Sequence, residues 1–118
     1  MTKPQDMSNK QLNISLEVLL GAIEDRYREG QVLKGTYSVS PKNYAENPAN
    51  SLMIQERAIA KNGLEYLAHL SEVIEPDEPG YQQEGELIAY TLEHTINLLV
   101  ATPRQRAEAA YMTLSREV

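Results

Sequence analysis

Residues 47–80 read NPANSLMIQERAIAKNGLEYLAHLSEVIEPDEPG, and this stretch decides the fold class. Asn47-Pro48 suits a helix start, because proline at the first turn lacks only an N–H that no intrahelical acceptor would meet. Leu52, Met53, Ile59, Ala60, Gly63, Leu67, Leu70 and Ile74 then recur at helical spacing, with Glu56 as the polar exception in the row. Asn62-Gly63 is a breaker pair, yet Gly63 falls on the apolar row, where a small residue serves close helix packing. The spacing therefore predicts one continuous helix, ended by Pro76-Asp77-Glu78-Pro79-Gly80.

Working outward, Ser8-Asn9-Lys10-Gln11 has the form of a capping box, with Met7 and Leu12 spaced to staple across it. Leu12, Leu16, Leu19, Leu20, Ile23 and Tyr27 follow at spacings of three and four, and Gly30 stands where a left-handed cap would sit, which predicts a first helix over 9–29. From 31 to 47 the helical period disappears, and Val32 to Pro41 mixes β-branched and aromatic residues with turn formers. This is a long irregular connection with room for one short extended segment. Downstream, a third helix is predicted over 81–101, with Leu87, Ile88, Leu92, Thr95, Ile96 and Leu99 inward. Thr102-Pro103-Arg104-Gln105 is a second capping box, opening a fourth helix that turns Ala107, Ala110, Tyr111 and Leu114 inward. The expected fold is all-α: a small bundle of about four helices with a long irregular connection between helices 1 and 2. It forms a single helical domain over 1–118, with 1–7 a flexible N-terminus.

The 118 residues are 42% hydrophobic and 24% charged, a globular composition, and a chain of this length buries roughly 65% of its unfolded surface. With no cysteine, disulfides, thiolate metal sites and a cysteine nucleophile are excluded. No apolar run approaches the ~18 residues of a membrane span, and no signal core follows Met1, so a soluble, cytoplasmic protein is expected. The net charge of -6 is regional. Between Lys61 and Arg104 there is no basic residue, whereas Glu65, Glu72, Glu75, Asp77, Glu78, Glu84, Glu86 and Glu93 are all acidic. A broad basic surface is lacking, which makes nucleic acid an unlikely partner.

Motifs for chemistry are sparse. Glu65 and His69 share a helix face at i and i+4, but the repeated Glu-x-x-His of a di-iron bundle and the His-Glu-x-x-His of a zinc protease do not occur, so no metal site or cofactor is expected. Glu72-x-x-Glu75 and Glu75-x-x-Glu78 supply the first half of the acidic signature of all-α nucleotide pyrophosphatases of the MazG type. The second half, a downstream Glu-x-x-Asp, is missing. Gly30-x-x-x-x-Gly35-Thr36 has phosphate-loop glycine spacing without the required lysine. With only His69 and His94 as candidate bases, the residues specify no catalytic triad, and no catalytic residue is assigned.

Arg26, Arg28, Lys34 and Lys42 oppose Glu29 alone within 26–44, and Tyr27, Tyr37 and Tyr44 are interleaved with them. Tyrosine and arginine are enriched at binding hot spots. Arg26, Arg28, Lys34, Tyr37, Lys42 and Tyr44 are therefore the expected partner-binding residues of a non-catalytic module that acts on another protein by binding and occlusion. The alternative use of the same segment is to hold a small molecule or nucleotide. Helix 1 and the end of helix 3 carry more apolar surface than one small bundle covers, which predicts a homodimer.

Overall fold

In the computed structural model of the protein, the described residues are 3–76, 81–84, 87–90 and 92–115. Among them the chain forms α1 (Asn9–Leu19), β1 (Ile23–Glu24), β2 (Val32–Lys34), β3 (Tyr37–Val39), α2 (Pro48–Ile74), β4 (Tyr81–Glu84), β5 (Leu87–Tyr90), α3 (Leu92–Leu99) and α4 (Pro103–Leu114). The molecule is helical and roughly bundle-like, but not purely α. β1, β2 and β3 form a three-stranded antiparallel sheet, and β4 pairs with β5.

Both capping boxes form. The Ser8 hydroxyl accepts from the Gln11 amide at 3.1 Å while Gln11 Oε1 accepts from the Ser8 amide at 2.9 Å, and Thr102 with Gln105 repeats the arrangement at the start of α4. Each box satisfies two N–H groups that have no intrahelical acceptor. α4 is the post of the structure. Its Ala107, Ala109 and Ala110 are fully buried together with Leu12 and Leu16 of α1 and Ile54, Ala58, Tyr66 and Leu70 of α2. Methyl side chains let neighbouring helices approach without cavities. The first turn of α4 also fastens the N-terminal segment, since Arg104 donates to the carbonyls of Pro4 and Met7, each at 2.7 Å, to Asn9 Oδ1 at 2.8 Å and to Glu108 at 2.6 Å.

Helix 1 is shorter than its period predicts. It stops at Leu19, and Gly21 follows with φ +108°, a conformation that side chains with a Cβ rarely adopt. Ile23 and Tyr27 keep helical spacing only by coincidence: Ile23 enters β1, and Tyr27 stands on the turn that follows, 97% exposed. The 31–47 connection is correspondingly more regular than expected. Val32 pairs with Val39, Leu33 with Ser38 and Lys34 with Tyr37, while Ile23 and Glu24 extend the sheet on the other side of β2.

Helix 2 is broken at Asn62, which is extended at φ -161° and ψ 95°. Its Oδ1 accepts from the Glu65 amide at 3.1 Å and its Nδ2 donates to Glu65 Oε2 at 3.1 Å, so Asn62 caps a new helix. The Tyr66 hydroxyl donates to Gln55 at 2.8 Å, although eleven residues of straight helix would separate them by about 16 Å. α2 is therefore two helical segments joined at a kink that brings these side chains together. Gly63 is not needed for close packing, because an added Cβ would meet only Ile59 at an ordinary 3.5 Å. The first half of α2 also turns a different face inward from the predicted row: Ser51, Ile54 and Ala58 are buried, while Leu52 and Ile59 are exposed.

The third predicted helix divides as well. β4 and β5 occupy its first part and pair antiparallel, with Tyr81 opposite Tyr90 and Glu84 opposite Leu87. α3 then turns His94 and Leu98 inward, not Leu92, Ile96 and Leu99, which are exposed. Residues 77–80 of the predicted terminating turn lie outside the described residues.

Candidate functional site

Segment 26–44 is held rigidly by two buried carboxylates. Asp25 Oδ1 accepts from the amides of Tyr27 at 2.9 Å and Arg28 at 3.3 Å, and its Oδ2 lies 2.6 Å from the Ser38 hydroxyl. The Ser38 hydroxyl and these two amides, outweighing burial, hold the Asp25 carboxyl below its ordinary range. This side chain ties the turn after β1 to the far strand of the sheet.

Glu17, at the end of α1, is the second. Its Oε1 accepts from the Tyr44 hydroxyl at 2.8 Å, and its Oε2 accepts from the Lys42 amide at 3.2 Å and lies 3.1 Å from Lys34 Nζ. Burial pushes the Glu17 carboxyl up, but the Tyr44 hydroxyl, the Lys42 amide and the Lys34 ammonium together bring it below the ordinary carboxylate value of 4.5. Both oxygens are therefore occupied by donors. The Tyr44 hydroxyl, buried and facing this carboxylate, is pushed far above the usual tyrosine value.

Above Glu17 opens a cleft of about 420 Å³. The end of α1 supplies Leu20, Gly21 and Ala22, the β2–β3 hairpin supplies Lys34 and Gly35, the following loop supplies Lys42 and Tyr44, and α2 supplies Met53 and Arg57. Its lining carries three cations and one carboxylate. Only Lys34 is paired with that carboxylate; among the described residues neither Lys42 nor Arg57 has an acidic partner. An electropositive cleft is thus built into an acidic chain. Loop 41–47 keeps its position through Asn13, whose Oδ1 accepts from the Ala45 amide at 3.0 Å.

The six residues selected from the sequence do not form one patch. Tyr37 is 75% exposed, and Arg26 and Arg28 are exposed beside Tyr27. Lys34 and Lys42 line the cleft, whereas Tyr44 is fully buried and forms its wall. Sequence reasoning missed Glu17 and Arg57, which complete the cleft. Glu17 did carry a signal, being a carboxylate one position from Leu16 on a helix whose neighbouring sides are apolar.

A second polar cluster fastens α3 to α2. Ser71 Oγ lies 3.0 Å from His94 Nε2, and His94 Nδ1 lies 3.3 Å from Glu75 Oε1, the serine–histidine–acid order that could not be assembled from sequence. Ser71 is fully buried, and its hydroxyl donates to the Leu67 carbonyl at 2.8 Å. Ser71 and His94 are buried and Glu75 is half-buried, and the trio clamps α3 to α2. Asn97 donates to Glu75 Oε1 at 2.9 Å, and Asn97 with His94 holds the Glu75 carboxyl below its ordinary range. Glu65 and His69 pair at 3.4 Å along one helix face. Among the described residues no group of three or more His, Cys, Asp or Glu is placed to hold a metal ion, and no helix is long and apolar enough to cross a membrane. No protein-family model, curated protein or solved structure matches the chain.

Proposed function

We propose that the chain is a non-catalytic protein-interaction module that engages another protein through β1–β3 and the turn between β1 and β2. The observation that carries this reading is the outward placement of Tyr27 and Tyr37, 97% and 75% exposed, on backbone held by Asp25 and the strand ladder. Exposed aromatics on a preorganised frame bind with little loss of conformational freedom, and the neighbouring Arg26 and Arg28 add directional donors. Binding by this face would act by occlusion of the partner.

The test is affinity capture from a lysate of the source organism, treated with nuclease, using wild-type chain and the Tyr27→Ala/Tyr37→Ala variant. A stoichiometric protein retained by wild type and lost by the variant is the expected result. Equal retention by both removes this face from the interaction, and loss on nuclease treatment moves the segment to nucleic acid.

Self-association is proposed alongside. Leu92, Ile96, Leu99 and Val100 form an exposed apolar stripe at helical spacing on and just beyond α3, and Val18 and Leu19 of α1 are also exposed. A twofold dimer would cover such surface. Light scattering coupled to size exclusion, showing a dimer for wild type and a monomer for Leu99→Asp, is the expected outcome; a wild-type monomer at micromolar concentration removes the claim.

A further inference from the structure

We infer that the cleft above Glu17 is a binding site for a phosphate monoester that carries an apolar or aromatic group. The inference uses a different set of residues from the protein-contact face: Lys34, Lys42 and Arg57 line the cleft, and Tyr27 and Tyr37 do not.

Charge selects the headgroup. Glu17 neutralises Lys34, and both of its oxygens are engaged by donors, the Tyr44 hydroxyl on one and the Lys42 amide and Lys34 ammonium on the other, so its charge is offset toward an incoming anion. Lys42 and Arg57 remain as two cations without acidic partners among the described residues. Their charge matches a phosphate monoester, which carries about -1.5 to -2 at neutral pH. Arg57 offers a planar fork suited to two phosphate oxygens, and Lys42 offers a rotatable point charge.

The walls select the remainder of the ligand. Met53 and Leu20 give the cleft an apolar side next to its cationic rim. A volume of about 420 Å³ lies within the range of small-ligand sites, roughly 300–1,000 Å³. Inorganic phosphate would occupy the rim and leave this apolar side uncovered. A phenyl or similar group attached to the phosphate fills both.

The experiment is an NMR titration of the full-length, isotope-labelled chain with inorganic phosphate, phenyl phosphate, a phosphotyrosine pentapeptide and succinate. Saturable amide shifts at Gly21, Gly35 and Lys42 are expected, with phenyl phosphate binding more tightly than inorganic phosphate. Arg57→Gln and Lys42→Gln, both exposed positions whose melting temperatures check the fold, should each weaken phenyl phosphate by at least about tenfold. The pentapeptide arm separates a protein-borne phosphate from a free small molecule: tighter binding than phenyl phosphate assigns the former, equal or weaker binding the latter. Absence of saturable shifts with either phenyl phosphate or the pentapeptide, succinate binding better than both, or undiminished affinity in both variants would overturn the assignment.

Discussion

α4 and the sheet β1–β3 use their side chains in opposite ways. α4 buries Ala107, Ala109, Ala110 and Thr113, so small residues occupy the place where three helical segments converge. The sheet region sends Ile23, Tyr27 and Tyr37 outward and is held from beneath by single carboxylates, Asp25 and Glu17. Close packing is therefore concentrated in one region and exposed large side chains in the other. In the proposed function the exposed large side chains make the contact while α4 contributes small ones to the core, so that packing and contact make separate demands on the sequence.

The strongest way to break this contrast is a matched pair of truncations. Ile54→Ala removes a fully buried side chain beside α4 and should destabilise by about 2–5 kcal/mol in urea unfolding, whereas Tyr37→Ala should stay within about 0.5 kcal/mol of wild type. Similar losses at both positions would show that the sheet is as much a core as α4 is. The next effect belongs to the carboxylate under the cleft. Glu17→Ala leaves the buried Tyr44 hydroxyl and the Lys42 amide without their acceptor, a loss of about 1–3 kcal/mol per unsatisfied group.

Acid should expose the same carboxylates. Glu17, Asp25 and Glu75 all have folded-state values below their ordinary 4.5, 3.8 and 4.5. Each binds its proton more readily when unfolded, so its contribution is complete above the ordinary value and is lost as pH falls through the folded one. The melting temperature should fall on acidification below about pH 4.5, and Glu17→Gln should make that fall shallower. An unchanged pH profile in Glu17→Gln would assign the acid sensitivity to the other two groups.

What was legible in the sequence was local. The capping boxes at Ser8 and Thr102 need only four consecutive residues, and both form; the inward Ala107 and Ala110 follow from the second. What failed was extrapolation of a period past a point where the backbone changes. Leu19 to Ile23 to Tyr27 keeps a spacing of four across Gly21, and the row through Gly63 continues across Asn62, yet each interruption redirects the chain. The pairing of 81–84 with 87–90 was missed because Leu87, Ile88 and Leu92 also fit the spacing of a helix face. The cleft was half legible: Lys34 and Lys42 lay in the basic segment, but Glu17 and Arg57 join them only through tertiary contact. Tyr44 could not be told from Tyr37 by type. Burial separates them, and burial follows from the partner at Glu17, 27 residues away.

The smallest expected effect on stability is also the most informative about the two regions. Asn62→Ala removes a cap and should cost about 0.5–2 kcal/mol, while Tyr27→Ala, at a side chain almost wholly in solvent, should leave unfolding unchanged within about 0.5 kcal/mol. If the turn after β1 exists to present its ring, Tyr27→Ala must weaken capture of the partner while its urea midpoint and slope match wild type. A Tyr27→Phe variant sharpens the result: retained binding assigns the contact to the ring, and loss assigns it to the hydroxyl. Reduced stability in Tyr27→Ala would mean that the ring covers the sheet in solution, and the division between an alanine-lined core and an uncovered frame would then fail at the residue where it is most extreme.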